Sequence, residues 1–261
     1  MVIKYRTALV ILMILFVLML SACQSEYIAT PPSASTPTNT PGVFPTLTQT
    51  PTRTPESILT PEPTANQTST TTAYTYPDNF YISDIIGHKQ TYELGCEASA
   101  AVDWAGFFGV HIFESTFQYA LPLSDNPDYG FVGEVTTDGW GQIPPYAYGV
   151  HAGPIADALI EFGLPARAVT NYSIEEVKES LSNDQPIIAW VIGNMEYSEP
   201  VAYVDTEGRV SIVAPYEHVV ILTGYNPTHL RYMNNGKFFD VPIDVFLTSW
   251  GVLGNMAVIY D

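Results

Sequence analysis

Cysteine is scarce in this chain, which has only Cys23 and Cys96 among its 261 residues. Cys23 directly follows an apolar N-terminal segment, so the remainder of the chain carries a single thiol. One thiol cannot close an intramolecular disulfide, which excludes the disulfide-framework class of small secreted domains. Cys96 is therefore either a small buried apolar residue or a reactive group.

Basic residues are also scarce, with 9 Lys and Arg against 27 Asp and Glu and a net charge of −18. This balance excludes nucleic acid as a partner and argues against charge-driven binding to anionic membranes. The five histidines are scattered and no Gly-rich phosphate loop is present. We therefore predict neither a metal nor a cofactor.

Residues 1–22 have the pattern of an export signal. Lys4 and Arg6 precede an apolar run over residues 8–20, and the segment ends in "LSAC". Small residues before a cysteine resemble a bacterial lipoprotein signal, which implies a lipidated Cys23 and an anchor on the outer face of the membrane. The alternative is a plain signal anchor in which Cys23 is incidental.

Composition divides the rest of the chain into two parts. Residues 23–76 are dominated by Thr, Pro and Ser, and this composition predicts a disordered linker after the lipidated cysteine. Residues 77–261 carry regular apolar patterning and all four tryptophans. This length suits one domain with its own core, which we expect to be monomeric.

The apolar patterning of residues 77–261 predicts helices first and mainly strands later, the order of an α+β fold. The predicted helices cover 96–108, 111–121, 153–163, 173–183 and a short part of 238–251 after a loop. The predicted strands cover 166–170, 186–192, 218–226, 229–235 and 255–260, and residues 81–86 are predicted to be a short strand or an extended entry to the domain. Residues 122–150 are predicted to be a long loop that lines a cleft.

Cys96 follows Gly95 at the start of a predicted helix, where the helix dipole would lower a thiol pKa. A lone cysteine near an Ala-rich helix is by default a core residue. His218 opens an otherwise apolar strand, and Asn234 lies where the next strand returns to it. Gln90 could donate to an oxyanion, so these residues together allow a thiol nucleophile with a base and an orienting amide.

Several stretches, in order, resemble the C39-like family of papain-fold cysteine peptidases. They are "YELGCEASAAVDWAGFFGV", "GFVGEVTTDGWGQIPPYAYGVHAGPIADALIEFG", "DQPIIAWVIG", "EHVVILTGYN" and "FLTSWGVLGNMAVIY". The resemblance implies a papain-like fold in which an N-terminal helical part carries the nucleophile helix against a C-terminal antiparallel sheet. It also implies Cys96 as nucleophile, His218 as base and Gln90 as the helper glutamine.

The third catalytic position departs from the family pattern. The family's Asp falls on Asn234, with Asn235 as a one-residue slip and Asp240 as a further alternative. Glu97 and Glu217 flank the two catalytic candidates. For Glu97 we favour an acid that complements the helix N-terminus over one that supports the nucleophile.

The sequence thus predicts an exported, surface-anchored thiol hydrolase that cleaves a peptide or protein substrate through a Cys-His-Asn thioester mechanism. Two alternatives remain open: a catalytically weak or inactive peptide-binding module, and an amidase or acyltransferase that acts on a non-protein substrate.

Overall fold

The computed structural model describes residues 76–261, and the predicted signal segment, Cys23 and nearly all of the linker lie outside this range. Within it, helices α1 to α5 cover Cys96–Phe107, Glu114–Ala120, Ala152–Glu161, Ile174–Ser182 and Ile243–Gly251. Strands β1 to β9 cover Phe80–Tyr81, Ala166–Val169, Ile187–Ile192, Val201–Val204, Val210–Val213, Glu217–Tyr225, His229–Asn234, Lys237–Pro242 and Ala257–Tyr260.

Seven strands form one antiparallel sheet in the order β2-β9-β3-β6-β7-β8, and β1 pairs with β6 beside this path. Strands β4 and β5 form a separate hairpin. The predicted α+β class with an antiparallel sheet is confirmed. None of the helices in the described part of the chain is long and apolar enough to cross a membrane.

The centre of the sheet is fully buried, and α1 packs against it. All six residues of β3, "IIAWVI", are buried, as its continuous apolar sequence predicts. Helix α1 packs on β6, and the buried Trp104 donates from Nε1 to the carbonyl of Pro186 at 2.7 Å. The first residue of α1 is thereby fixed against the start of β6.

Two helix boundaries follow from local chemistry that the sequence already shows. Ser173 caps α4 by accepting from the N–H of Glu176, and the Glu176 carboxylate accepts from the Ser173 N–H at 2.7 Å. This is the predicted capping box. Just after α1, Gly109 adopts a φ of +82°, the left-handed conformation that favours glycine at a helix end.

Helix α2 begins at Glu114, so the predicted start at His111 is wrong. The N–H groups of Gly109 and Val110 bond back to the carbonyls of Gly106 and Ala105 to close the end of α1. The chain then needs residues 111–113 to reverse direction, and Phe113 is extended with a ψ of 136°. His111 lies in this connection.

Three exposed strands were not predicted. Strand β8 pairs with β7 from Asn234 opposite Lys237 to His229 opposite Pro242, where we had expected a loop. Five of the six β8 residues are exposed, so this edge strand lacks the alternation of buried residues that marks a strand in a sequence. Strand β4 is mostly exposed as well, whereas β5 alternates between exposed and buried residues but is only four residues long.

Candidate active site

Cys96 is the first residue of α1, follows Gly95 and is only 5% exposed. Its thiol donates to Oε2 of Glu97 at 3.3 Å. Burial raises the thiol pKa well above its usual value, and the charges of Glu97 and Glu217 act in the same direction. The lowering of the pKa that we expected from the helix N-terminus is therefore outweighed.

His218 lies on β6, where its Nε2 is 3.1 Å from Oδ1 of Asn234 on β7. A carbonyl oxygen can only accept, so Nε2 carries the proton and Nδ1 of the neutral ring keeps its lone pair. Burial lowers the pKa of His218, although the Asn234 hydrogen bond opposes this. The ring is therefore a neutral base near pH 7.

A β-bulge places Asn234 on the same face of the sheet as His218. The β6–β7 register shifts by one residue between Leu222 and Gly224, and beyond the shift Ile221 lies opposite Met233. Continued by one pair, this register sets Asn234 opposite Val220, on the face that His218 shares. Without the extra residue, Asn234 would lie opposite Ile221 and point to the other face.

The alternatives to Asn234 lie elsewhere. Asn235 donates from Nδ2 to Oδ1 of Asn234 at 3.0 Å and so helps to fix the amide that holds His218. Asp240 lies opposite Arg231 in the β7–β8 pair and makes no contact with the histidine. Asn234 is thus the amide that the structure brings to the imidazole.

Gln90 lies beside the thiol, but its amide is engaged. It lines a small cavity together with Cys96 and Asn234. Its Nε2 donates to the carbonyls of Tyr92 at 2.8 Å and Glu93 at 3.1 Å. One of these carbonyls must be released before Gln90 can donate to an oxyanion.

Cys96 and His218 share no hydrogen bond in the described structure. The backbone N–H of Val219, one residue beyond His218 on β6, lies near the sulfur and acts to lower the thiol pKa, against the larger effect of burial. The thiol proton points to Glu97 instead. The thiol must therefore break its hydrogen bond to Glu97 before its proton can pass to the imidazole.

A cavity of about 660 Å³ opens beside His218 and Asn234. Trp140, from the 122–150 loop, lines it and packs edge-on to the His218 ring at 6.1 Å between centroids. The Trp140 indole N–H donates to the backbone carbonyl of Glu217, which holds this part of the loop on β6. The cavity lining consists of Lys89, Gln90, Thr91, Tyr92, Glu93, Trp140, Gly193, Asn194, His218, Asn234, Asn235 and Lys237.

Two buried carboxyl groups lie beneath the thiol. Glu97 is 1% exposed and its Oε1 accepts from the N–H of Val150 at 2.7 Å. Glu217 is 2% exposed, and neither of its carboxyl oxygens has a hydrogen-bond partner in residues 76–261. Glu97 lies in the first turn of α1, as our preferred interpretation of a helix-terminal acid requires, but its buried carboxyl also contacts the thiol. In the sequence, the position of Glu97 directly after Cys96 and of Glu217 directly before His218 was the signal that could have identified this pair.

Replacement of Gly149 by alanine should destabilise the protein by about 2 kcal/mol through strain alone, because Gly149 has a φ of +113°. An added Cβ would also lie 2.0 Å from Oε1 of Glu97 and would force this carboxyl away from the thiol. Chemical denaturation of Gly163→Ala gives the control, since Gly163 has a φ of +88° with no atom near its Cβ position. Equal losses for both variants would contradict tight packing around Glu97.

The remaining histidines lie away from the thiol. His151 is buried, with Nδ1 2.6 Å from Asp128. His88 bonds to Asp103 and Glu114, and although burial opposes protonation, these hydrogen bonds raise its pKa. Neither shares a hydrogen bond with Cys96 or His218.

Only one group of atoms suited to a metal occurs in residues 76–261, formed by Cys96, Glu97 and Glu217 within 4.8 Å of one another. A closed zinc site uses four protein ligands, so this set is incomplete for one. We assign no metal to it.

Comparison with known proteins identifies the family and the fold of this chain. The model of the Peptidase_C39 like family matches residues 64–256, and the chain belongs to this family. A C39-like peptidase from Bacillus anthracis aligns over 71% of this chain and 98% of its own, with 21% identity and a TM-score of 0.63. This likeness confirms the predicted papain-like cysteine peptidase fold.

Two more distant structures align less well. The peptidase domain of Streptococcus ComA, a bifunctional ABC transporter, has 14% identity over 67% of this chain and 98% of its own, with a TM-score of 0.41. Xylellain, a cysteine protease from Xylella fastidiosa, has 13% identity over 72% of this chain and 87% of its own, with a TM-score of 0.40. No curated protein sequence matches the chain.

Proposed function

We propose that the protein is a cysteine peptidase that hydrolyses peptide bonds through a thioester on Cys96. The hydrogen bond between Nε2 of His218 and Oδ1 of Asn234, at the edge of a large cavity and one residue from the backbone group that contacts Sγ, carries this proposal. It leaves Nδ1 of His218 as the free base that a thiol nucleophile needs.

The site favours general-base catalysis from a neutral pair. A buried thiol with a raised pKa and a buried imidazole with a lowered pKa both disfavour charge separation before substrate arrives. The thiol proton therefore passes to Nδ1 of His218 as Sγ attacks, not before. A preformed thiolate–imidazolium pair is not the resting state in this mechanism.

The reaction has two halves. Sγ of Cys96 bonds to the substrate carbonyl carbon while the thiol proton moves to His218 and the carbonyl π electrons move to oxygen. The N–H of Cys96, which lacks an intrahelical acceptor, stabilises the oxyanion, and Gln90 adds a second donor once its amide is released. The C–N bond then breaks and His218 protonates the leaving amine. Water attacks the thioester through the same base, which restores the thiol and releases the acid.

The cavity carries an unusual share of the positive charge in this acidic chain. Of the six basic residues in residues 76–261, Lys89 and Lys237 are the two whose side chains make no ion pair, hydrogen bond or ring contact with another described residue. Both line this cavity, against one acid, Glu93. Peptides with an acidic residue near the scissile bond are therefore the preferred substrates.

Neutralising these lysines should reduce the preference for acidic peptides. In Lys89→Gln with Lys237→Gln, we expect kcat/KM for a Glu-containing peptide to fall roughly tenfold relative to its Gln isostere, because each solvated ion pair contributes up to ~1 kcal/mol. Lys178→Gln is the control, since Lys178 lies over the Tyr76 and Tyr225 rings. Added salt should weaken the preference in the unmodified protein. A preference that survives the double substitution would refute this assignment.

We also propose that lipid on Cys23 and the linker of residues 23–76 hold the peptidase on the outer face of the membrane. Growth with radiolabelled palmitate tests this anchor. The label should be incorporated into the full chain and absent from Cys23→Ser, and equal labelling of both would rule out Cys23 as the attachment point.

A peptide-library cleavage profile of the full chain, with Cys96→Ala as control, tests the proposed activity. Cleavage that depends on Cys96 supports the peptidase. The orientation of the thiol towards Glu97 favours one alternative, a peptide-binding module without turnover. Library peptides that bind but remain intact with both proteins would establish this alternative instead.

A further inference from the structure

The carboxyl group of Glu217 poses a problem that the proposed mechanism does not answer. It is 2% exposed and no N–H or O–H in residues 76–261 reaches either of its oxygens. An ionised carboxylate in such a place is strongly unfavourable, so the group must hold a proton or a counter-ion. Its oxygen lies within 4.8 Å of both the Glu97 carboxyl and the Cys96 sulfur.

Glu97 differs from Glu217 in having donors. The Val150 N–H bonds to its Oε1 and the Cys96 thiol bonds to its Oε2, and both interactions favour the ionised form. Even so, burial raises its pKa to about 7, and burial with the charge of Glu97 raises the pKa of Glu217 well above its usual value. When two carboxyls lie this close, one keeps a proton, and Glu217 is the one without donors.

The other titratable groups at this site do not supply a counter-charge. Tyr148, from the 122–150 loop, is buried beside the pair, and this burial raises its pKa well above the usual value, so it stays neutral. His151 is hydrogen-bonded to Tyr148 and Asp128. His218 points to the opposite face of β6 from Glu217, because successive strand residues alternate. No lysine or arginine among residues 76–261 forms an ion pair with either carboxyl.

We propose that Glu97 and Glu217 are positioning residues for Cys96: Glu217 keeps a proton, and Glu97 accepts the thiol hydrogen bond and keeps the thiol proton away from His218 until substrate binds. The nucleophilic role of Cys96 in this inference rests on the proposed function. The resting thiol is thereby protected, since negative charge beside the sulfur disfavours the thiolate that alkylating and oxidising agents attack. Glu97 directly follows Cys96 and Glu217 directly precedes His218. Both acids are therefore held next to the reacting residues, and neither faces solvent.

Alkylation of Cys96 in the full chain tests the role of Glu97. In Glu97→Gln, the Gln oxygen can still accept from Val150, but an N–H donor replaces the acceptor that faces the sulfur. We therefore expect the rate with iodoacetamide at pH 7.5 to rise about tenfold, the effect of a one-unit fall in thiol pKa. Peptide-resolved mass spectrometry separates Cys96 from Cys23. Glu175→Gln, at an exposed acid on α4, should react at the wild-type rate.

Thermal unfolding tests the proton on Glu217. A carboxyl whose pKa is raised by folding stabilises the protein below its unfolded pKa, and this contribution is lost as pH rises towards the folded pKa. The wild-type Tm should therefore fall relative to that of Glu217→Gln between pH 5 and pH 8. The raised pKa values of Cys96 and Tyr148 keep both groups protonated over this range, so neither titrates within it.

Three results would overturn the proposal. The first is an unchanged alkylation rate in a folded Glu97→Gln protein, and the second is a Tm difference for Glu217→Gln that is constant with pH. The third is a cobalt–thiolate absorption band in wild type with Co²⁺ that disappears in Glu217→Gln, because the carboxyls would then hold a cation rather than a proton. None of these measurements requires turnover, so an absence of peptide cleavage would refute the proposed function alone.

Discussion

Replacement of either Cys96 or His218 by alanine should lower kcat/KM for a cleaved peptide by on the order of 10⁴-fold or more. Without the sulfur no thioester forms. Without the imidazole the thiol has no acceptor for its proton, and its raised pKa leaves almost no thiolate near pH 7. Because the two groups act in one step, the double variant should be no slower than either single variant.

The measurement is initial rates on the best library peptide, with His229→Ala as the matched control. His229 starts β7 on the same hairpin, and its Nδ1 contacts the hydroxyl of its neighbour Thr228. It is not part of the cavity lining, so this variant should retain wild-type rates. If His218→Ala retained a tenth of the activity, the general base would have to be another group and the mechanism proposed above would be wrong.

Glu97→Gln makes the same experiment more informative. The Cys96 thiol of this variant should alkylate faster, yet turnover need not improve. The hydrogen bond to Glu97 positions the sulfur as well as lowering its reactivity. A simple activation of the thiol would raise both rates together. The two readouts therefore separate reactivity of the free thiol from productive alignment with His218.

The parts of the fold that local chemistry determines could be predicted from the sequence. Ser173 and Glu176 sit three residues apart before an apolar run, and they form the capping box. The apolar run of β3 and the start of α1 at Cys96 were also predictable, because consecutive residues are buried in both segments. The exposed strands β4 and β8 were missed because hydrogen bonds to a neighbour, not buried side chains, define them.

The site was predictable only where short connections bring residues together. The turn between β6 and β7 made it possible to place His218 near residues 234 and 235, but it did not decide between them. The bulge at Leu222 and Gly224 decides, and it depends on the pairing of two whole strands. The carboxyl pair was harder still, because Glu97 and Glu217 are 120 positions apart in sequence. Their contact requires α1 to lie on β6, which no local pattern encodes.

Asn234 distinguishes the neutral-pair mechanism from a preformed ion pair. In Asn234→Asp, a carboxylate 3.1 Å from Nε2 would replace a neutral amide. An opposite charge at this distance raises a histidine pKa by about 1–3 units. If neutral His218 is the base, the acid limb of the kcat/KM profile reports its pKa, and this limb should move to higher pH by that amount.

A preformed thiolate–imidazolium pair predicts a different change. Its imidazolium is the active form, so a raised pKa would move the alkaline limb instead and extend activity upward. Asn194→Asp adds the same charge to the cavity without a hydrogen bond to His218, and it should leave both limbs nearly in place. Asn234→Ala should lower kcat/KM roughly 100-fold without moving either limb far, since a ring that is free to turn is misaligned. The lowered pKa of His218 and the raised pKa of Cys96 both favour the first outcome, a shift of the acid limb.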